Sequence, residues 1–219
     1  AVAFKNSKLG IPILIGKEEI VKEQLKNIGL DSNFNIEISS SKDNERREKY
    51  TNYLYKKFQR SGMLERECDH MVRNDRVTWG ACMVGCGDAD AMVTGGTRHH
   101  AATVEKLTKV VEARPGEIIF GLTLMVSRGR TVFIADTNVH DNPTAEQLVQ
   151  IAISSTRVAR LFGFDPKVAF LSHSTFGKPA TERTKHVREA IELMKTKNVD
   201  FDYDGEMQPD VALNPIYQE

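Results

Sequence analysis

Short apolar runs and helical periodicities take turns along nearly the whole chain, and this alternation restricts the fold more than any other feature. "IPILIG" (11–16) reads as a short buried strand ended by Gly16. "KEEIVKEQLKNIG" then sets Ile20, Val21, Leu25 and Ile28 on one helical face, with Gly29 as its stop. A polar loop (39–45) leads to a helix carrying Tyr50, Leu54 and Phe58 on one side, closed near Gly62. "ERECDHMVRNDRVTWGACMVG" (65–85) predicts helix interrupted near Asn74. "ADAMVTGG" (89–96) reads as a strand running into two glycines, and "HAATVEKLTKVVEA" (100–113) as a helix.

"ARPGE" (113–117) breaks that helix and is the expected hinge between two lobes, 1–113 and 114–219. The β-branched runs of 118–136 flank a short Gly-containing turn and predict a hairpin in the second lobe. "NPTAEQLVQIAISSTRVARLFG" (142–163) is the clearest helix, capped by Asn142 before Pro143 or by a Thr144–Gln147 capping box. Its apolar stripe is Leu148, Ile151, Ala152, Ser155, Val158, Ala159 and Phe162. The strand "KVAFLS", a loop, a helix with Val187, Ala190, Ile191 and Met194, and the strand "VDFDYDG" (199–205) complete the series. Strands alternating with helices predict an α/β sandwich with a largely parallel sheet.

Thirty basic and thirty acidic residues cancel. The broad positive face of a general nucleic-acid binder is therefore not expected, and neither is a nucleic-acid partner. No apolar run approaches a membrane span, and the start lacks the layout of a signal peptide. Three cysteines, an odd number, argue against a disulfide framework and for a reducing, cytoplasmic setting. The chain opens without Met on "AVAFKNSKLG" and stops at "VALNPIYQE"; both ends suggest a piece of something longer.

Two loops follow expected strands and open expected helices: "VTGGTRHH" (93–100) and "SHSTFGKPA" (172–180). Ligands of open α/β sheets bind at such places, where free amides and the helix dipole favour an anion. Gly95, Gly96 and Gly177 let a ligand approach the backbone, Ser174 and Thr175 supply hydroxyls, and Arg98 and Lys178 supply positive charge. A phosphate or a phosphorylated cofactor suits this set. Strand-to-helix turns also carry Gly, Ser and Thr for conformational reasons alone.

"STFGKPA" is not a P-loop, because Ser172 falls where the first Gly belongs and Pro179 follows the Lys. "GCGDAD" (85–90) lies after a helix and before a strand, the reverse of a dinucleotide fingerprint. Cys82 and Cys86, with Cys68, His70, His99 and His100 elsewhere, read as packed thiols and helix-start imidazoles rather than a metal site. Asp136, Asp141, Asp204 and Glu206 lie just past strand ends, where a carboxylate serves as acid or base or simply stays solvated.

Taken together, "GDADAMVTGGT", "NPTAEQLVQIAI", "PKVAFLSHSTFGKP" and "DYDGEMQPDVALN" resemble the phosphate acetyl/butyryltransferase family over nearly the whole chain. "SRGRTVFIAD", "FGFDPKVAFLSHSTFG" and "VDFDYDGEMQPDVALN" look most like the C-terminal acetyltransferase-like domain of large bacterial NADP-dependent malic enzymes. The resemblance implies two α/β/α lobes of isocitrate/isopropylmalate dehydrogenase-like topology, here incomplete at both ends. It implies an acyl-CoA cleft between the lobes and a homodimer or higher oligomer. Thr94, Gly95 and Gly96 would line the cleft from one lobe and Ser174, Thr175 and Gly177 from the other; Asp204, Gly205 and Glu206 match a further loop near it. Acetyl-CoA is then the expected effector or substrate, with NADP and Mg or Mn bound in a malic-enzyme region outside this chain. The family's Ser-Arg stretch and the catalytic Asp after it are absent from this sequence, so no catalytic residue is assigned.

Overall fold

A computed structural model of the chain describes residues 1–29, 36–96, 98–177 and 181–217. They divide into two compact units, 1–112 and 113–219.

The first unit contains α1 (Val2–Asn6), β1 (Ile13–Ile15), α2 (Glu18–Asn27), β2 (Glu37–Ser39), α3 (Asn44–Phe58), α4 (Glu65–Asn74), α5 (Arg76–Gly85) and α6 (His100–Val110). β1 and β2 pair in parallel, Ile13 opposite Glu37 and Ile15 opposite Ser39. Asp43 opens α3, its Oδ1 accepting from Arg46 N at 3.1 Å. The expected break near Asn74 falls at Asp75. Its extended backbone ends α4, and its carboxylate caps α5 by accepting from Val77 N at 3.3 Å. The core is Tyr50, Leu54, Cys68, Val72, Trp79, Ala81, Cys82, Met83 and Val110. Trp79 meets Tyr50 edge-on, and its indole N–H donates to Ser39 Oγ at 2.9 Å, which fastens α5 to the end of β2.

The second unit contains β3 (Leu122–Ser127), β4 (Arg130–Ala135), α7 (Ala145–Leu161), β5 (Val168–Leu171), α8 (Glu182–Lys195), β6 (Tyr203–Met207) and α9 (Pro209–Leu213). β3 and β4 form the expected hairpin. Its two-residue turn, Arg128–Gly129, has positive φ at both positions (47° and 78°), the pattern that matches strand twist. β5 and β6 pair in parallel. Ala145, Val149, Ala152, Phe170, Val187, Ala190 and Met194 form this unit's core.

Several expectations change. Among the described residues the strands make three separate two-stranded pairs rather than one largely parallel sheet. Residues 89–96 form no strand: Met92 packs against the first core, Val93 is fully exposed, and positive φ at both Gly95 and Gly96 breaks extended pairing. Helix α2 buries none of its residues, and Ile20 and Ile28 are exposed. Thr144, not Asn142, caps α7, because its hydroxyl accepts from Gln147 N while Gln147 Oε1 accepts from Thr144 N. The buried stripe of α7 includes Val149 and Thr156 and leaves Phe162 exposed. The last strand begins at Tyr203, four residues later than expected. Among the described residues no helix is long and apolar enough to cross a membrane.

Candidate functional site

The first corner is 93–100. Thr94, Gly95 and Gly96 are all exposed, and among the described residues, chain neighbours aside, no atom lies within 4 Å of where a Cβ would sit on either glycine. The glycines serve the backbone's left-handed course and leave that face of the main chain open. Arg98 Nη1 donates to Asp75 Oδ1 at 2.8 Å, and Lys106 Nζ of α6 donates to Asp75 Oδ2 at 2.9 Å. Thr78 Oγ1 adds a third bond to the same carboxylate at 3.0 Å. Burial alone would push the Asp75 carboxyl up; Lys106, Thr78 and the Val77 amide outweigh it and hold the group below its ordinary value. One carboxylate thus gathers two half-exposed cations beside an open glycine loop, and the cluster keeps a net positive charge. His99 and His100 are exposed at the start of α6. Among the described residues no three or more His, Cys, Asp or Glu side chains are grouped to hold a metal.

The second corner is 172–177; Lys178 lies outside the described residues. β5 and β6 fall out of step here. Phe170 pairs with Gly205 and Leu171 with Met207, so Glu206 is the extra residue of a bulge. Its side chain is almost wholly buried. Glu206 Oε1 accepts from Ser174 Oγ at 3.2 Å and from Arg188 Nη2 of α8 at 2.6 Å, and Arg188 Nη2 also donates to Gly177 O at 2.5 Å. Burial again pushes the Glu206 carboxyl up, and the hydrogen bonds from Arg188 and Ser174 bring it below the usual range. Gly205 has φ +145°, and a Cβ there would meet Phe170 O at 2.6 Å, so the bulge requires glycine. Gln208 closes the corner, its N donating to Thr175 Oγ1 and its Nε2 to His173 O.

The structure therefore brings Ser174, Gly177 and Glu206 together, and holds Thr175 beside them through Gln208. Asp204 is exposed and bonds only the amide of Gly205, at 2.8 Å, among the described residues. Part of the corner's donor set points inward, at the chain's own carboxylate. Three contributors escaped sequence reading: Asp75, Lys106 and Arg188. For Asp75 a signal existed, an acidic residue at a helix break. For Arg188 there was none, since its partner lies 18 residues away.

Asp136, past the end of β4, is held from three sides. Its buried carboxylate accepts from Gly121 N at 2.7 Å and from His140 N at 2.9 Å, and pairs with His140 Nδ1 at 2.5 Å. Asp141 is exposed. Cys68 and Cys82 are buried free thiols in the first core; burial pushes Cys82 up to about 12. These sulfurs stay protonated at neutral pH and behave as packing. "GCGDAD" follows helix α5, which is not the strand-first context of a dinucleotide loop.

The profile of phosphate acetyl/butaryl transferases matches residues 1–219. An NADP-dependent malic enzyme of Rhizobium meliloti is 42% identical over 100% of this chain, which spans 29% of that protein's length. A phosphate acetyltransferase of Acetivibrio thermocellus is 32% identical over 93% of this chain and 62% of its own length. A phosphotransacetylase from Streptococcus pyogenes superimposes with TM-score 0.83 at 29% identity, covering 100% of this chain and 66% of that one. The mixed α/β fold is similar to that of phosphotransacetylases, and the chain belongs to the phosphate acetyl/butaryl transferase family.

Proposed function

We propose that this chain is an acetyl-CoA-sensing, phosphate acetyltransferase-like domain of an NADP-dependent malic enzyme. The observation that carries the reading is the 42% identity to the Rhizobium meliloti malic enzyme along the whole chain, which fills only 29% of that protein. The complete protein would convert malate to pyruvate and CO2 with NADP and a divalent metal. Those groups would be held by a region outside this chain. The proposed contacts for the CoA ester are Thr94, Gly95, Gly96 and Arg98 in the first unit, and Thr175 and Gly177 in the second, where Ser174 stands behind them with its hydroxyl donated to Glu206. The isocitrate dehydrogenase-like, two-lobed α/β/α arrangement, a cytoplasmic setting and a homodimer belong to the same proposal, supported by the family match.

Regulation would follow from unequal affinity. A CoA ester that binds one conformational state better shifts the population toward it and changes malate turnover at a remote site. Calorimetry with acetyl-CoA on the complete protein, run beside malate-dependent NADP reduction, tests this. Binding accompanied by changed turnover is expected; absence of acetyl-CoA binding rejects the reading.

A second reading is transfer of an acyl group between CoA and phosphate. The likeness to the Acetivibrio thermocellus acetyltransferase favours it. Catalysis would rest on positioning and on stabilising the charge that develops at the thioester carbonyl. CoA release from acetyl-CoA on addition of phosphate distinguishes transfer from sensing.

A further inference from the structure

Arg188 is held at its corner by two acceptors that use a single nitrogen. Nη2 donates to Gly177 O and to Glu206 Oε1, and these bonds occupy both of its hydrogens. Among the described residues nothing accepts from Nε or Nη1, and the side chain remains 45% exposed. Glu206, by contrast, is 1% exposed, and its Oε2 is buried without a partner among the described residues. The carboxylate is an internal anchor, shielded from any ligand, while the guanidinium offers three N–H donors outward. Thr175 stands in the same loop. Its oxygen accepts from Gln208 N, so its own O–H is left to donate outward from an exposed side chain.

We propose that Arg188, with the Thr175 hydroxyl, holds a phosphoryl group at this corner, and that Glu206 and Ser174 position the guanidinium without touching the ligand. This rests on the CoA-ester reading above and gives it a residue that the loop sequence does not contain. The internal carboxylate takes the Ser174 hydroxyl, so side-chain donors for an outside anion must come from elsewhere, and among the described residues Arg188 is the cation bonded to the loop. Because Glu206 has already fixed its rotamer, ordering it costs little on binding. The phosphoryl group is either free phosphate or a phosphate of the CoA ester.

The test titrates the chain and its Arg188→Gln variant calorimetrically with acetyl-CoA, with S-acetylpantetheine, which has the thioester but no phosphate, and with inorganic phosphate. Loss of one charge-assisted contact should weaken the phosphoryl ligand about tenfold or more, with S-acetylpantetheine unchanged. Weakening of acetyl-CoA alone assigns the group to CoA; weakening of free phosphate alone assigns it to phosphate. Should Arg188→Gln unfold, Arg188→Lys keeps a cation against Glu206 and should still weaken the same ligand severalfold. A folded variant that binds acetyl-CoA and phosphate like the parent overturns the inference and leaves the CoA-ester reading standing. Phosphate binding that depends on Arg188, in a chain indifferent to acetyl-CoA, does the reverse. A parent chain that binds neither overturns both.

Discussion

Twice among the described residues a carboxylate drawn out of water sets an arginine, Asp75 for Arg98 and Glu206 for Arg188. Each acid binds its proton less tightly in the fold than in the unfolded chain. The stability it adds is therefore complete above the ordinary carboxyl value of about 4 and lost as pH falls through the lower folded value. Urea midpoints measured from neutral pH down to about pH 2 should fall in that acid window, and Asp75→Asn should flatten the fall while lowering stability at neutral pH. Gly205→Ala should cost roughly 1–3 kcal/mol in the same assay, since both its φ and the Phe170 carbonyl oppose a side chain. Sequence alone pointed to Arg98 and Ser174 because they sit in small-residue loops, and to Glu206 as a carboxylate just past an expected strand end. It could not show that Glu206 turns inward, because that follows from one extra residue in a ladder whose partner strand lies more than thirty positions earlier.

Helices were far more legible than strands, for a physical reason. A helix announces itself by local spacing and by its caps: the Thr144–Gln147 box, the Asp75 break and the Gly62 stop are all local chemistry. A strand is confirmed only by a partner that may lie anywhere. "ADAMVTGG" has strand-like composition, but among the described residues no strand pairs with it, and it meets the core through Ala89 and Met92. Thr144→Ala should lower stability by about 1 kcal/mol, read as a lower urea midpoint at unchanged slope. Leu54→Ala removes a wholly buried side chain of α3 and should cost about 2–5 kcal/mol.

The whole molecule comprises two units, each with its own core of seven or more buried side chains. High pH should weaken the first selectively. Cys82 keeps its proton up to about 12 in the fold, whereas an unfolded thiol ionises near 8.5. Its contribution is complete below that lower value and lost as pH rises toward the upper one. A Cys82→Ala variant should show a shallower alkaline loss in thermal unfolding, even though the cavity lowers its neutral-pH midpoint.

The sole indole of the chain, on Trp79, sits inside the first core with its N–H tied to Ser39. Its fluorescence is consequently a private reporter: emission tracks the melting of residues 1–112 and is blind to loss of the partner core. Paired with circular dichroism, which sees both, it turns one unfolding experiment into two separable curves.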